Sequence, residues 1–399
     1  MYFAVDWCRR VDFDRMREQR VKRLTDIMKE KGVDGIFSLK HQNVRYITGL
    51  RPLWFPIVRM RDAALLRSDG QRIAYPASGD APHRKATMYW MNPDDIRPMP
   101  ALEDPVIIRK FIPELQRAFD AFELSHARVG LDATIEPLRR ALVESFPHVE
   151  WVDGEECLSE AKLIKNEEEI EVFRQACAAV DIGFDAAIRV VEPGRRECEV
   201  LGEAMRMLYA QGMEIPQCGS IIASGENTVP LARFAGDRAI REGDVVFMDF
   251  GGCFNGMFAE FTRTVVCGRP NAAQRRIYRA VMDVLNAVTN AMKPGQTSAD
   301  VWAAAWAEYQ KTGLAEYAIP SSLGHSIGVG GWEPPNLGNP AVSGTEFTLR
   351  PGMVFSVEPT LLVPDVPGGG GIRVEDEVLI TETGCEVLSR ARYDEALGS

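Results

Sequence analysis

Val245-Val246-Phe247-Met248-Asp249-Phe250-Gly251 is an apolar run that meets an acid, and eleven residues after that acid Phe258-Ala259-Glu260-Phe261-Thr262-Arg263-Thr264 carries another. β-Branched and aromatic residues suit a pleated, half-buried backbone, so the runs read as strands over 245–250 and 258–266. Asn255-Gly256 lies between them, a pair that tolerates the positive φ angles of a tight hairpin turn. The two acids therefore ride on paired strands.

Three downstream segments repeat the theme of one ionisable side chain beside strand-forming or glycine-rich sequence. They are Gly324-His325-Ser326-Ile327-Gly328, Ser356-Val357-Glu358-Pro359 and Gly371-Ile372-Arg373-Val374-Glu375-Asp376. Singly, each has an ordinary reading: a carboxylate at a strand end is usually a solvated cap, and a lone histidine usually packs. Brought together, four carboxylates and one imidazole would repel unless a positive charge stood among them. The run Gly368-Gly369-Gly370-Gly371 has no following Gly-Lys-Ser/Thr and is no phosphate loop; a tight turn feeding the strand of Glu375 explains it.

Outward from this region, helices are expected near 196–212, 271–292 and 298–312, with strands near 217–223, 353–358 and 373–381. Asn166 with Glu169 has the spacing of a capping box, and Ile170, Phe173, Cys177, Val180 and Phe184 form a helical stripe behind it. Toward the start, 14–31, 107–122 and 135–146 read as helices. Strands are read at 35–39, 61–67, 71–75 and 129–131, with Ser68-Asp69-Gly70 as a turn. A boundary falls near Cys157–Lys165, so the chain divides into 1–158 and 159–399, the first an α/β domain.

The 399 residues carry a formal net charge of −11, which argues against nucleic acid or an anionic membrane as partner. No apolar run approaches the length of a membrane span, and the first residues lack the pattern of a secretory signal. Eight cysteines are scattered singly, as expected of reduced thiols in the cytoplasm.

The order Asp249, Glu260, His325, Glu358, Glu375, with the neighbours quoted above, resembles the metal-site pattern of the pita-bread family. That family includes methionine aminopeptidase, aminopeptidase P, prolidase and creatinase. Tyr46-Ile47-Thr48-Gly49 and the helix–strand opening resemble the N-terminal domain of its longer members. The resemblance implies a smaller creatinase-like α/β domain followed by a pita-bread domain, a curved antiparallel sheet covered by helices. It also implies one or two divalent ions (Mn, Fe, Co or Zn) held by Asp249, Glu260, His325, Glu358 and Glu375. Creatinase works without metal, so a site without one is the alternative; it too has Glu where Glu260 stands, but it lacks the acids at the positions of Asp249 and Glu375.

Two departures bear on activity. Glu260 stands where the family's second Asp ligand is usual. The histidines that peptidase members place around the substrate are absent, because Ala232 and Trp332 stand at those positions and His325 is the one histidine beyond residue 150. Losing such a donor typically costs about 2.7–4 kcal/mol of transition-state stabilisation, so an efficient peptidase is not expected.

The expectation is instead a hydrolase of a C–N bond in a small, carboxylate-bearing, non-peptide substrate such as an amidine, a guanidino or ureido acid, or a modified amide. Glu260, His325 and Glu358 would be catalytic. Arg61, in a segment resembling the carboxylate-binding stretch of creatinase, would hold the substrate with Arg233, Trp332 and Phe55, Trp54 lying nearby. A lyase of the dimethylsulfoniopropionate-cleaving type, an Xaa-Pro peptidase and a non-catalytic binding protein are the alternatives. In creatinase-like members the first domain of one subunit covers the active site of the other, which implies a homodimer here.

Overall fold

The computed structural model describes residues 11–51, 61–217, 220–319 and 321–399. Two compact units result, Met1–Lys162 and Leu163–Ser399.

In the first unit the chain order is α1 (Phe13–Glu30), β1 (Gly35–Ser38), α2 (His41–Thr48), β2 (Ala63–Arg67), β3 (Arg72–Tyr75), α3 (Ala81–Thr87), α4 (Pro105–Ala121), β4 (Arg128–Leu131), α5 (Glu136–Ser145), β5 (Glu150–Asp153) and α6 (Glu155–Leu163). The sheet order is β3-β2-β1-β4-β5, parallel across β1, β4 and β5 and antiparallel through β2 and β3. Phe37, Leu65 and Val129 from the strands pack with Phe111, Leu115 and Phe119 from α4. The helix α2 and the edge strand β5 were not anticipated. β5 is four residues long with two exposed, so it carries too short an apolar pattern to announce itself.

The second unit opens on α7 (Glu167–Arg189), whose Asn166 and Glu169 form the expected capping box. Then come α8 (Glu197–Ala210), β6 (Ile215–Pro216), β7 (Ile221–Ser224), β8 (Val245–Phe254), β9 (Met257–Val266), α9 (Ala272–Ala291), α10 (Ser298–Thr312), β10 (Gly324–Ser326), β11 (Glu333–Leu337), α11 (Pro340–Ser343), β12 (Val354–Val357), β13 (Thr360–Leu362), β14 (Gly371–Arg373), β15 (Asp376–Ile380) and β16 (Cys385–Val387). The hairpin β8–β9 pairs over ten positions, turning at Asn255 (φ 50°) and Gly256 (φ 87°). A second antiparallel sheet runs β11-β10-β12-β15-β16. Phe184 of α7 stacks on Phe250 and Phe261, at 4.0 and 4.9 Å between ring centres, and α9 and α10 cover Phe355, Val357 and Val378.

The strand expected at 373–381 is two strands. β14 pairs with β13 and β15 pairs with β12, and the change of partner falls at Val374-Glu375, where the Glu375 N–H donates to the Thr262 carbonyl of β9. Apolar alternation continues through such a switch, so sequence cannot mark it. The glycine run ahead of β14 fits a close backbone approach: a Cβ on Gly371 would stand 1.8 Å from the Thr228 carbonyl oxygen.

Arg263, with a side chain 1% exposed, bonds to Asp376 at 2.9 Å and to the carbonyls of Ala391, Thr262 and Glu375. It ties β9 to the segment carrying Glu375. No described helix is long and apolar enough to cross a membrane. Arg263→Met should lower stability by about 3–5 kcal/mol in urea titration, since it leaves a buried carboxylate without its cation; a loss below ~1 kcal/mol would show the pair to be dispensable.

Candidate active site

Hairpin geometry decides where the first acids point. Asp249 stands opposite Thr262, and Glu260 precedes Thr262 by two residues, so all three project from one face. Gly251, opposite Glu260, leaves room there: a Cβ would fall 2.7 Å from the Glu260 Cβ. From the second sheet, His325 on β10 stands opposite Ser356 on β12, and the Glu358 N–H donates to the Leu323 carbonyl. Glu375 accepts a 2.6 Å hydrogen bond from Thr262 Oγ1.

The five expected groups lie on or beside these strands, close enough to act on one another's charge. Glu260 Oε1 is 3.5 Å from His325 Nε2, and both side chains are about nine-tenths buried. Arg373 is the side chain that sequence reasoning missed. Its Nη1 lies 2.9 Å from both Asp249 Oδ2 and Glu358 Oε2, and its Nε donates to Thr360 Oγ1. A readable signal existed in the i, i+2 spacing of Arg373, Glu375 and Glu377. Among the described residues no three His, Cys, Asp or Glu side chains are grouped as ligands of a single ion.

Burial sets the protonation of this cluster. It pushes Asp249 up to about 6, with Arg373 opposing the rise and Glu358 adding to it. Burial, then the charges of Glu375 and Asp249, push Glu260 well above the usual carboxylate range; burial with Asp249 and Glu358 does the same to Glu375. Burial disfavours the Arg373 charge, but Glu358 and Asp249 outweigh it and raise its pKa. His325 is lowered by burial. Its Nδ1 is 3.1 Å from the Ser326 carbonyl, an acceptor only, so Nδ1 carries the proton and Nε2 presents its lone pair on the Glu260 side.

The remaining expected residues are placed as follows. Trp332 is 61% exposed, with its ring centre 5.9 Å from that of His325, on a loop held by Gln217 Nε2 donating to the Gly331 carbonyl. Arg233 spends its guanidinium on its own loop, donating to Asn227 Oδ1 and the Pro230 carbonyl. Ala232 beside it is exposed. Trp54 and Phe55 lie outside the described residues, and Arg61 lies just ahead of β2, which begins at Ala63 rather than at 61.

The profile of metallopeptidase family M24 matches residues 171–382, and that of the creatinase/prolidase N-terminal domain matches 20–164. The Xaa-Pro dipeptidase of Pyrococcus furiosus is 30% identical over 381 residues, covering 94% of this chain and 99% of the relative. The solved prolidase of the same organism superimposes with a TM-score of 0.73 at 28% identity, covering 92% of this chain and 99% of that one. An Xaa-Pro dipeptidase from Bacillus anthracis gives 0.80 at 24% identity, covering 95% and 99%, a likeness of fold. The chain belongs to metallopeptidase family M24, in its two-domain form with a creatinase-like N-terminal domain and a pita-bread catalytic domain. It is a hydrolase of that family. The expectation that missing histidines exclude peptidase action finds no support in these relatives, which match nearly end to end.

Because the folded Asp249 value lies above the ordinary one, the folded state holds that proton more tightly. This contribution to stability is present in acid and is lost as pH rises toward about 6. In chelator-containing buffer, Asp249→Asn should therefore gain stability relative to the native chain by on the order of 2 kcal/mol between pH 4 and pH 7. Denaturation curves that keep a constant gap across that range would contradict the assignment.

Proposed function

We propose that this chain hydrolyses the amide C–N bond of small, carboxylate-bearing substrates of the Xaa-Pro dipeptide kind. The observation that carries this reading is the convergence of Asp249, Glu260, His325, Glu358 and Glu375 in a chain so fully matched by an Xaa-Pro dipeptidase. In this reading a water adds to the carbonyl carbon, and Glu260, whose proton affinity is raised by burial and by its acidic neighbours, takes the water's proton and passes it to the leaving nitrogen as the C–N bond breaks. His325 faces it with an unprotonated Nε2, and Arg373 keeps Asp249 and Glu358 in place by bonding to both.

The donor chemistry, four carboxyl groups that repel one another and one imidazole lone pair, is of the kind a divalent first-row ion takes once those groups are drawn onto it. Asp249, Glu260, His325, Glu358 and Glu375 would hold it, and it would supply Lewis acidity and lower the pKa of a water.

A second reading keeps the chemistry and changes the substrate to a non-peptide amide, amidine or ureido acid. Trp332 favours it, because an exposed indole beside His325 suits a flat or cationic group. A panel of Xaa-Pro dipeptides, assayed with Mn²⁺, Co²⁺ or Zn²⁺, should give kcat within about 1–10³ s⁻¹, and Glu260→Gln should lower it by about 10²–10⁴-fold. Background turnover across the dipeptides, with hydrolysis of an amidine or ureido acid, would replace the first reading by the second.

Arg61 is the proposed holder of the substrate carboxylate, contributed by a second copy of the chain, on the resemblance of its segment to creatinase. Inactive Arg61→Ala and Glu358→Gln chains, mixed, should then recover roughly a quarter of native activity, since half the dimers regain one intact site. A mixture that stays inactive removes Arg61 from the shared site.

A further inference from the structure

Glu377 is a fully buried acid that neither the family pattern nor the proposed chemistry uses. It lies on β15 opposite Ser356 of β12, and Ser356 lies opposite His325 of β10, so the three form one row across the sheet. Glu377 Oε1 accepts from Ser356 Oγ at 3.2 Å and from the Glu260 peptide N–H at 3.1 Å. Glu260 belongs to β9, in the other sheet, so a single oxygen links the row of His325 to the strand of Glu260. Those two side chains meet at 3.5 Å. The second oxygen, Oε2, is buried with no hydrogen-bond partner among the described residues.

An unsatisfied buried polar atom costs about 1–3 kcal/mol, so Oε2 carries a cost while Oε1 serves two donors that come from different sheets. Packing alone does not call for an acceptor that joins those two donors. We propose that Glu377 is a positioning residue that fixes the Glu260 peptide against the His325 row and so sets the separation of Glu260 and His325. This rests on the reading that those two groups work together.

Crystal structures of the native chain, Glu377→Gln and Glu377→Leu test the geometry without any substrate. Glutamine keeps an oxygen at Oε1 and should hold the Glu260–His325 separation. Leucine orphans both donors and should widen it by more than about 1 Å, well beyond hydrogen-bond tolerance. Kinetics on whichever substrate the native chain turns over should show kcat down by about 10–100-fold in Glu377→Leu with KM little changed, and most of it retained in Glu377→Gln. Should the leucine chain not fold, Ser356→Ala removes one of the two donors and should give a smaller shift in the same direction. An unchanged separation in the leucine chain, or in Ser356→Ala where leucine fails to fold, overturns the proposal. A widened separation in a chain that hydrolyses none of the substrates leaves the proposal standing and removes the proposed function instead.

Discussion

The catalytic unit depends on holding like charges together out of water. Asp249, Glu260, Glu358 and Glu375 are mostly buried, and burial with the charges of the neighbouring acids raises the proton affinity of Asp249, Glu260 and Glu375, a cost that grows as solvent is excluded. Arg373 relieves part of it by reaching two carboxylates with one nitrogen. Proton uptake relieves more, because burial and like charges push Glu260 and Glu375 well above the ordinary carboxylate range. The acids therefore differ before any substrate arrives: Arg373 opposes the rise at Asp249, whereas burial and the charges of Glu375 and Asp249 push Glu260 well above its ordinary value.

That arrangement needs strands placed to within an ångström, and three buried polar contacts supply the placement. Arg263 fixes β9 to the backbone at Glu375; Thr262 fixes the Glu375 side chain; Glu377 links β9 to the row of His325. Each joins segments distant in sequence through one donor–acceptor geometry. Apolar packing from α7, α9 and α10 stabilises the unit but is tolerant of small shifts, since dispersion is non-directional. Hydrogen bonds depend on distance and angle and are not tolerant in that way, which is why the register of the cluster resides in them.

Legibility followed the range of the interaction. The hairpin could be read because Asn255-Gly256 and two strand-forming runs act within about twenty residues, and α7 could be read because Asn166 and Glu169 are three apart. The acids were legible as a set through resemblance, since nothing local says that Glu358 meets Arg373. The partner switch at Val374-Glu375 was invisible, because the deciding contact comes from Thr262, more than a hundred residues earlier. Arg373 shares an i, i+2 face with Glu375, a spacing that puts it near the acids without assigning it a partner. Its charge mattered only once Asp249 and Glu358 were seen on either side of it.

The missing histidines need a different weighing from the acids. The acids sit on or beside strands whose pairing fixes them, whereas Ala232 and Trp332 sit on loops braced by their own contacts, Asn227 with Arg233 and Gln217 with Gly331. Loops change without disturbing the strands beneath, so an altered loop reports on what lies above the acids and leaves the acids' chemistry intact. Inferring the loss of a whole reaction from two loop positions assumed that a donor must be an imidazole in one place. An oxyanion or carboxylate accepts from any N–H, guanidinium or peptide as well as ring. The loops therefore bear on which substrate fits, and the buried acids with Arg373 bear on whether a bond can be cleaved.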